Sequence, residues 1–389
     1  MKYFILISSL FAFVQIPGQS SLVEDWSNDS IIVGFGESSH GNCADFARKL
    51  KFARQLKSTN MKVNVLVEMP YGVKIKMISY INGLIDKTEL ISALELYGLQ
   101  TDGFINFAQD VINDSNLRFI GIDMQHYKAS FQVLLTSVNL TKLNLDKTSL
   151  RISELESMFS HFAKQPAAQD SLTRRFKSRH YKLLEIINNV QDKRIRNELK
   201  YALSNIEQCY MYRANNYLGN SSQNFRDSCM AENVKFISET IPGPIVIFAA
   251  NFHVCKMATT KKSPLSLGCY VFKYFKDRYK VLISQFYSGQ ILSVSISPEW
   301  HTYNQSFQSI KKTLPFEIHK FYQNTDTIIS VNDLKLAIPR TMRRLIYIQD
   351  MGAGGPSKYK YHEYRRAKSG SFDAVYYSKI SEPCFFLGE

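Results

Sequence analysis

The sequence predicts an α/β fold: a central, mainly parallel sheet flanked by helices, with a helical insertion of roughly a hundred residues and a mixed C-terminal part. Three observations carry this. Ile31–Phe35, Val63–Val67, Arg118–Ile122 and Ile245–Ala249 are short continuous runs of mostly apolar residues. Continuous rather than alternating apolar runs mark strands covered on both faces, as parallel strands are. The first three are separated by helical patterns at Ala44–Ser58, Val73–Ile85 and Phe104–Ile112, the alternation of right-handed βαβ crossovers. From 143 to 241 the periodicity is helical throughout, with Leu150, Ile152, Leu155, Met158 and Phe159 on one stripe.

Beyond the fourth strand, Leu265–Phe275 reads as a helix. Tyr279–Phe286 and Ile291–Ile296 then read as paired strands joined by a turn at Tyr287–Gln290, where Ser288 and Gly289 supply the turn signal. Met351–Ser357 reads as a Gly-rich loop and Phe372–Tyr377 as a final strand.

The N-terminal segment sets the context. Lys2 precedes an apolar run from Tyr3 to Phe13 and a small polar exit near Ser20, the pattern of a secretory signal over 1–20. The run falls short of the about 20 apolar residues a bilayer span needs. The expectation is a secreted or periplasmic protein whose folded part is 21–389. Six cysteines (Cys43, Cys209, Cys229, Cys255, Cys269, Cys384) include no CxxC pair, which excludes a zinc ribbon but permits disulfides in an exported chain. Composition (45 % hydrophobic, 21 % charged) excludes disorder and coiled coil.

The net charge of +14 raises a polyanion reading. It has local support between Arg340 and Lys368, where basic residues interleave with Tyr359, Tyr361 and Tyr364. A solvated surface loop is the preferred reading of that stretch, so no nucleic-acid partner is expected. Membrane contact is expected only through an uncleaved signal segment or this basic patch.

The positions of polar residues are more informative. Each strand ends in groups that a buried strand would not choose: Glu37 and His40 after the first, Glu68 after the second, Asp123 and Gln125 after the third, Asn251 and His253 after the fourth. Ligands of parallel sheets bind at the carboxyl edge of the strands. Of the groups gathered there, the two glutamates and two imidazoles suit water activation, a carboxylate fixing the histidine that serves as general base. Glu37, His40, Glu68 and His253 are therefore the candidate catalytic residues. The same four would suffice to ligate a divalent metal, and that alternative stays open. There is no Gly-x-Ser-x-Gly elbow, HExxH, Walker motif or dinucleotide fingerprint, so attack by activated water is simpler than a serine acyl-enzyme.

At these residues the sequence resembles the erythromycin (macrolide) esterase family. Gly36-Glu37-Ser38-Ser39-His40-Gly41 is similar to the family's G-E-x-x-H-G motif, and Phe119–Asp123 to its F-x-G-x-D segment. Arg226-Asp227-Ser228-Cys229-Met230-Ala231-Glu232-Asn233 is similar to its R-D-x-x-M-A-E-N helix, Asn251–His253 to its A-H-N-x-H strand end, and Phe372–Val375 to its closing strand. The resemblance implies an esterase-type hydrolase without a serine nucleophile, cleaving an ester or macrolide-type lactone with water activated by His40. Glu37, Glu68 and His253 would orient and stabilise, with Lys49, Asp123, Gln125, Arg226, Glu232 and Asn251 binding substrate or supporting the site. It implies no obligatory cofactor and, by way of the macrolide substrate, antibiotic resistance. Two positions depart: Lys49 stands where the family has arginine nine residues after the motif histidine, and Ala250 where it has the first strand-end histidine. Lysine keeps the charge but loses the bidentate fork. The competing expectations are a metal- or haem-binding protein or metal-dependent hydrolase using the same Glu/His pocket, and a binding module without catalysis.

Overall fold

The computed structural model describes Trp26 and residues 29–56, 61–94, 100–125, 127–141, 145–162, 169–217, 222–257, 265–295, 301–309, 311–323, 326–343, 346–350, 364–385 and 387. The signal segment, the Met351–Ser357 loop, and Lys358, Tyr359, Lys360 and Tyr361 of the basic patch lie outside them.

The four expected strands form, as β1 (Ile32–Glu37), β2 (Val63–Pro70), β3 (Leu117–Asp123) and β4 (Ile245–Ala250). They are followed by β5 (Tyr279–Ser295), β6 (His301–Gln308), β7 (Thr327–Ser330), β8 (Ile346–Gln349), β9 (Tyr364–Ala367) and β10 (Ala374–Ser381). The main sheet runs β3-β2-β4-β1-β5-β10-β7, with β6 paired to β5; β8 and β9 make a separate antiparallel pair. From β3 to β10 every pairing is parallel. Only β7 and β6 join antiparallel. Because β4 lies between β2 and β1, the carboxyl ends of β1 to β4 are neighbours.

Alternate side chains of each strand enter different cores, as a period of two requires. Val33, Phe35, Val65, Val67, Phe119, Val246 and Phe248 face one side, under helices α1 (Cys43–Gln55), α2 (Val73–Ile81), α3 (Lys87–Leu94) and α4 (Asp102–Asn113). There Phe35 sits edge-on to Phe52 at 5.4 Å and to Phe248 at 5.8 Å. Truncating so buried an aromatic costs about 3–5 kcal/mol. Ile32, Leu66, Ile120, Ile245 and Ile247 face the other core.

The helical stretch begins earlier than the sequence suggested. It comprises α5 (Lys128–Thr141), α6 (Leu145–Phe162), α7 (Gln169–Asn188), α8 (Lys193–Tyr217) and α9 (Ser222–Thr240). The first four build a core of their own around Phe131, Phe159, Phe176 and Tyr210, with Phe176 and Tyr210 stacked at 3.9 Å. The last, α9, leaves that core and packs Met230, Ala231, Val234 and Ile237 on the sheet. Among the described residues no helix is long and apolar enough to cross a membrane.

The expected hairpin at Tyr279–Ile296 is instead one strand with a change of partners. Ser288 and Gly289 pair with β10 on one side and β6 on the other. Gly289 takes φ +133°, and a Cβ there would lie 2.3 Å from Ser381 O. The turn signal marks a glycine-dependent bend within a continuous strand.

Candidate active site

Glu37 is the last residue of β1, and β1 is flanked by parallel strands on both sides, so its carboxylate starts out buried. Three residues on, in the loop before α1, His40 turns its Nδ1 back onto Glu37 Oε1. Lys49, on the buried face of α1, closes on the other oxygen, Oε2. The loop is pinned rather than loose: Gly41 O accepts from both Leu292 N and Cys384 N at 3.1 Å. A Cβ on Gly41 would stand 1.9 Å from Leu292 O, so only glycine fits this approach.

A second cluster meets the first from β2, β3, β4 and α9. Glu68 lies where the β2–β3 register shifts, between Val67 and Pro70. Arg226, at the first turns of α9, donates from Nη2 to Glu68 Oε1 at 2.6 Å and to Asp123 Oδ2 at 2.7 Å. Its Nε also donates to Asp123, at 3.2 and 3.3 Å, so the guanidinium fork spans one carboxylate and bridges to the next. His253 follows β4 in the short helix α10 (Asn251–Val254). Its Nδ1 lies 2.8 Å from Asp227 Oδ1 and its Nε2 lies 3.6 Å from Glu68 Oε1. Ala250 contributes its backbone, donating to Glu68 Oε2 at 3.3 Å.

The charges hold Glu37 and Glu68 ionised and raise both histidines. Burial alone would raise Glu37, but Lys49 and His40 outweigh it and bring its pKa down to about 2. Burial would lower His40; Glu37, and then Glu68, more than reverse this and raise it above its ordinary 6.5. His253 is likewise penalised by burial, yet Glu68 and Asp227 push it up to about 9. Glu68 stays well below the usual carboxylate range: burial opposes ionisation, but His253, Arg226 and His40 prevail. The side chain of His40 is 27 % exposed and those of Glu37 and His253 are 8 % and 11 %. His40 is thus the most exposed member of an otherwise buried network.

Of the residues expected from sequence, Glu37, His40, Lys49, Glu68, Asp123, Arg226 and His253 come together. Three do not join them. Glu232 is exposed and accepts from Tyr274 OH, on α11 (Leu267–Phe275); six residues beyond Arg226 is about 240° around the helix, which turns it away from the site. Gln125 donates to Tyr212 OH at 3.2 Å, tying the end of β3 to α8. Asn251 is fully buried and donates to Ser284 O at 2.8 Å and Gln349 O at 2.7 Å, so it fastens strand ends.

Sequence reasoning missed two carboxylates. Asp227, fully buried, pairs with His253, although sequence reading assigned it no role beyond its place in the Arg226–Asn233 segment. Asp45 accepts from Arg48 at 3.0 Å and from Ser284 Oγ at 2.9 Å on the first turn of α1. Burial raises its pKa, with Arg48 and Lys49 working against the rise. Nothing in the sequence pointed to Ser284.

As a metal cage the Glu37, His40, Glu68, His253 set is poorly suited. Lys49 and Arg226 already occupy its carboxylates, and His253 Nδ1 is turned to Asp227. A cation would have to displace two others.

The family model for erythromycin esterase matches residues 103–379. This span carries Asp123, Arg226, Asp227 and His253, while Glu37, His40, Lys49 and Glu68 precede it. No curated protein matches the chain. Among solved structures, the chain superposes on a Bacillus cereus protein with TM-score 0.77 at 17 % identity, over 94 % of this chain and 92 % of that one. A succinoglycan biosynthesis protein follows at TM-score 0.74 and 18 % identity, with coverages of 94 % and 92 %. A mutant of the erythromycin esterase EreC in its open conformation gives TM-score 0.64 and 14 % identity, with coverages of 92 % and 93 %. At such identities these likenesses establish the shared fold, and the family rests on the sequence match. On that match, over most of its length, the chain belongs to the erythromycin esterase family, a family of ester hydrolases.

Proposed function

We propose that this protein is an exported hydrolase that cleaves a carboxylic ester or lactone with water activated by His40. One observation carries the reading: His40 is the most exposed member of the Lys49–Glu37–His40 relay, and with Nδ1 engaged by Glu37 its other ring nitrogen, Nε2, is the one assigned the proton transfer. Glu37 fixes the tautomer and stabilises the imidazolium that forms. Water loses a proton to Nε2 and adds to the ester carbonyl carbon. The tetrahedral oxyanion collapses back to a carbonyl, the bond between the acyl carbon and the alkoxy oxygen breaks, and the leaving alkoxide takes up a proton. His253, held charged at neutral pH by Glu68 and Asp227, stabilises the oxyanion or supplies that proton.

Two features support water over a serine. Ser38 and Ser39 are both buried, and Ser39 Oγ accepts from Gly41 N at 3.2 Å. The substrate class follows from the family, a macrolide-type lactone being the natural first candidate. Such hydrolysis would confer resistance to that antibiotic. Export follows from the apolar N-terminal segment. No metal is required, because Lys49 and Arg226 supply the positive charge.

Replacing His40 by Asn tests the assignment with aryl ester and macrolide substrates. The expected loss in kcat/KM is about 10²- to 10⁴-fold, with binding retained and chelator without effect on the wild type. The wild-type rate should rise with pH above 6.5 as His40 loses its proton and fall near pH 9 as His253 does. Undiminished turnover by the Asn variant would refute the general-base role, and chelator-sensitive turnover would favour the metal-dependent reading.

A further inference from the structure

The C-terminal segment closes over the His40 loop as a strap. Asn42 bridges Pro383 in antiparallel fashion. Around that bridge Cys43 N donates to Glu382 O at 2.9 Å and Cys384 N to Gly41 O at 3.1 Å. The strap continues onto α4, where Phe385 N donates to Asp102 Oδ1 at 2.8 Å and Asp102 N to Phe385 O at 3.1 Å. These bonds place Cys43, on the first turn of α1, beside Cys384. Both sulfurs and an Asp102 carboxylate oxygen lie within 4.8 Å of one another, and Cys43 Sγ stands 3.6 Å from Asp102 Oδ1. Gly103 makes room for them: a Cβ there would meet Cys43 Sγ at 2.3 Å and Cys384 Sγ at 3.0 Å.

We propose that Cys43 and Cys384 form a disulfide that staples the C-terminal strap to the His40 loop. Cys43 is half-buried and reachable, whereas Cys384 is 1 % exposed. A small-molecule disulfide such as oxidised glutathione supplies the oxidant. The Cys43 thiolate attacks one of its sulfurs and releases one thiol, giving a mixed disulfide. Cys384 then displaces the second thiol from Cys43 Sγ, so two protein thiols become one disulfide and one glutathione disulfide becomes two thiols. A metal on the same trio would need both cysteines ionised beside Asp102. Contact with Cys43 and burial instead push the Cys384 thiol well above its ordinary range. The disulfide leaves the buried site neutral. It closes a loop of roughly 340 residues, where the constraint on the unfolded chain is large, and it suits an oxidising compartment.

Purified protein equilibrated with a glutathione redox buffer, alkylated under denaturing conditions and digested, tests this. The expected result is one peptide pair joining Cys43 to Cys384, lighter by two hydrogens, with Cys209, Cys229, Cys255 and Cys269 alkylated. Reduction, or Cys384→Ser, should lower Tm by about 5 °C or more, and reductant should have no further effect on the variant. Alkylation of both residues as free thiols, a different pairing, or stoichiometric zinc protecting them from alkylation would each overturn the proposal. The mapping needs only wild-type protein, so it stands even if the variant fails to fold, and it reads independently of ester hydrolysis.

Discussion

At the carboxyl ends of β1 to β4, Lys49 sits on Glu37 and Arg226 spans Asp123 and Glu68. Along the edge strand β3, under α8 and α9, Lys62, Lys74, Arg118, Lys193 and Arg194 instead line a cavity of about 660 Å³ with Glu198 as the acid among them. The two regions use the same cationic residue types under opposite electrostatics. Arg226 offsets its burial through Asp123 and Glu68, which hold it charged well above its ordinary range. Arg118 donates to neutral oxygens, Asn64 Oδ1 at 3.2 Å and Pro242 O at 2.9 Å. Burial and then Arg194 lower its pKa. Lys74 is lowered in the same way, by burial and then, against Glu198, by Arg194, Arg118 and Lys62. The region that lines a cavity is therefore the less organised one. Charges neutralised in fixed geometry distinguish a prearranged site, and cavity volume does not.

The sharpest way to break this contrast is Arg226→Met. Asp123 and Glu68 would be left buried without their cation, a defect of about 3–5 kcal/mol. Urea unfolding should show the midpoint fall at constant m. A loss under 1 kcal/mol would mean that the two carboxylates protonate or rehydrate cheaply, and that the site is less rigid than its geometry.

Glu37 offers a second test, through pH. Its folded pKa of about 2 lies below its ordinary 4.5, so its contribution is complete above pH 4.5 and is lost as pH falls towards 2. The integrated effect is about 3 kcal/mol. It is the part of the acid-side slope in stability that should disappear in Glu37→Gln. If wild type and variant lose stability in parallel between pH 5 and 2.5, Lys49 and His40 do not hold Glu37 ionised.

Much of this contrast was legible in the sequence and part was not. Glu37, Glu68, Asp123 and His253 could be placed because a parallel sheet fixes which strand ends meet. Arg226 was legible through its resemblance. Asp227 was hidden because adjacent helix residues point about 100° apart, and α9 serves both the sheet core and the site. Glu232 was misplaced for the same reason. The continuity of β5 was illegible because a bend within a strand and a turn between strands use the same Ser-Gly signal. The cleft along β3 draws its cations from the residue before β2 and from α2, β3 and α8, segments with no motif in common.

Lys49 tests the contrast at one residue. In Lys49→Met, Glu37 keeps His40 as its partner, so the cost should be smaller than at Arg226, about 2 kcal/mol. Turnover should fall about tenfold or more as the relay loosens. Lys49→Arg restores the charge with a planar fork, the residue type the resembled family carries there, and should hold kcat/KM within about threefold. Equal losses in both variants would show that shape rather than charge matters at this position.

The smallest effect is expected in the cleft. Lys74→Met removes a half-buried cation from a cluster whose members repel it, with Glu198 opposing. The alkyl stem stays packed. Stability should rise slightly, by about 0.5 kcal/mol, and ester hydrolysis should be unchanged. Because the gain is relief of repulsion between partly exposed charges, it should shrink as salt is raised from 0.01 to 1 M and the Debye length contracts from about 30 to 3 Å. A loss of more than 1 kcal/mol would show that Glu198 holds Lys74 more strongly than its cationic neighbours repel it, and the contrast between the two regions would narrow.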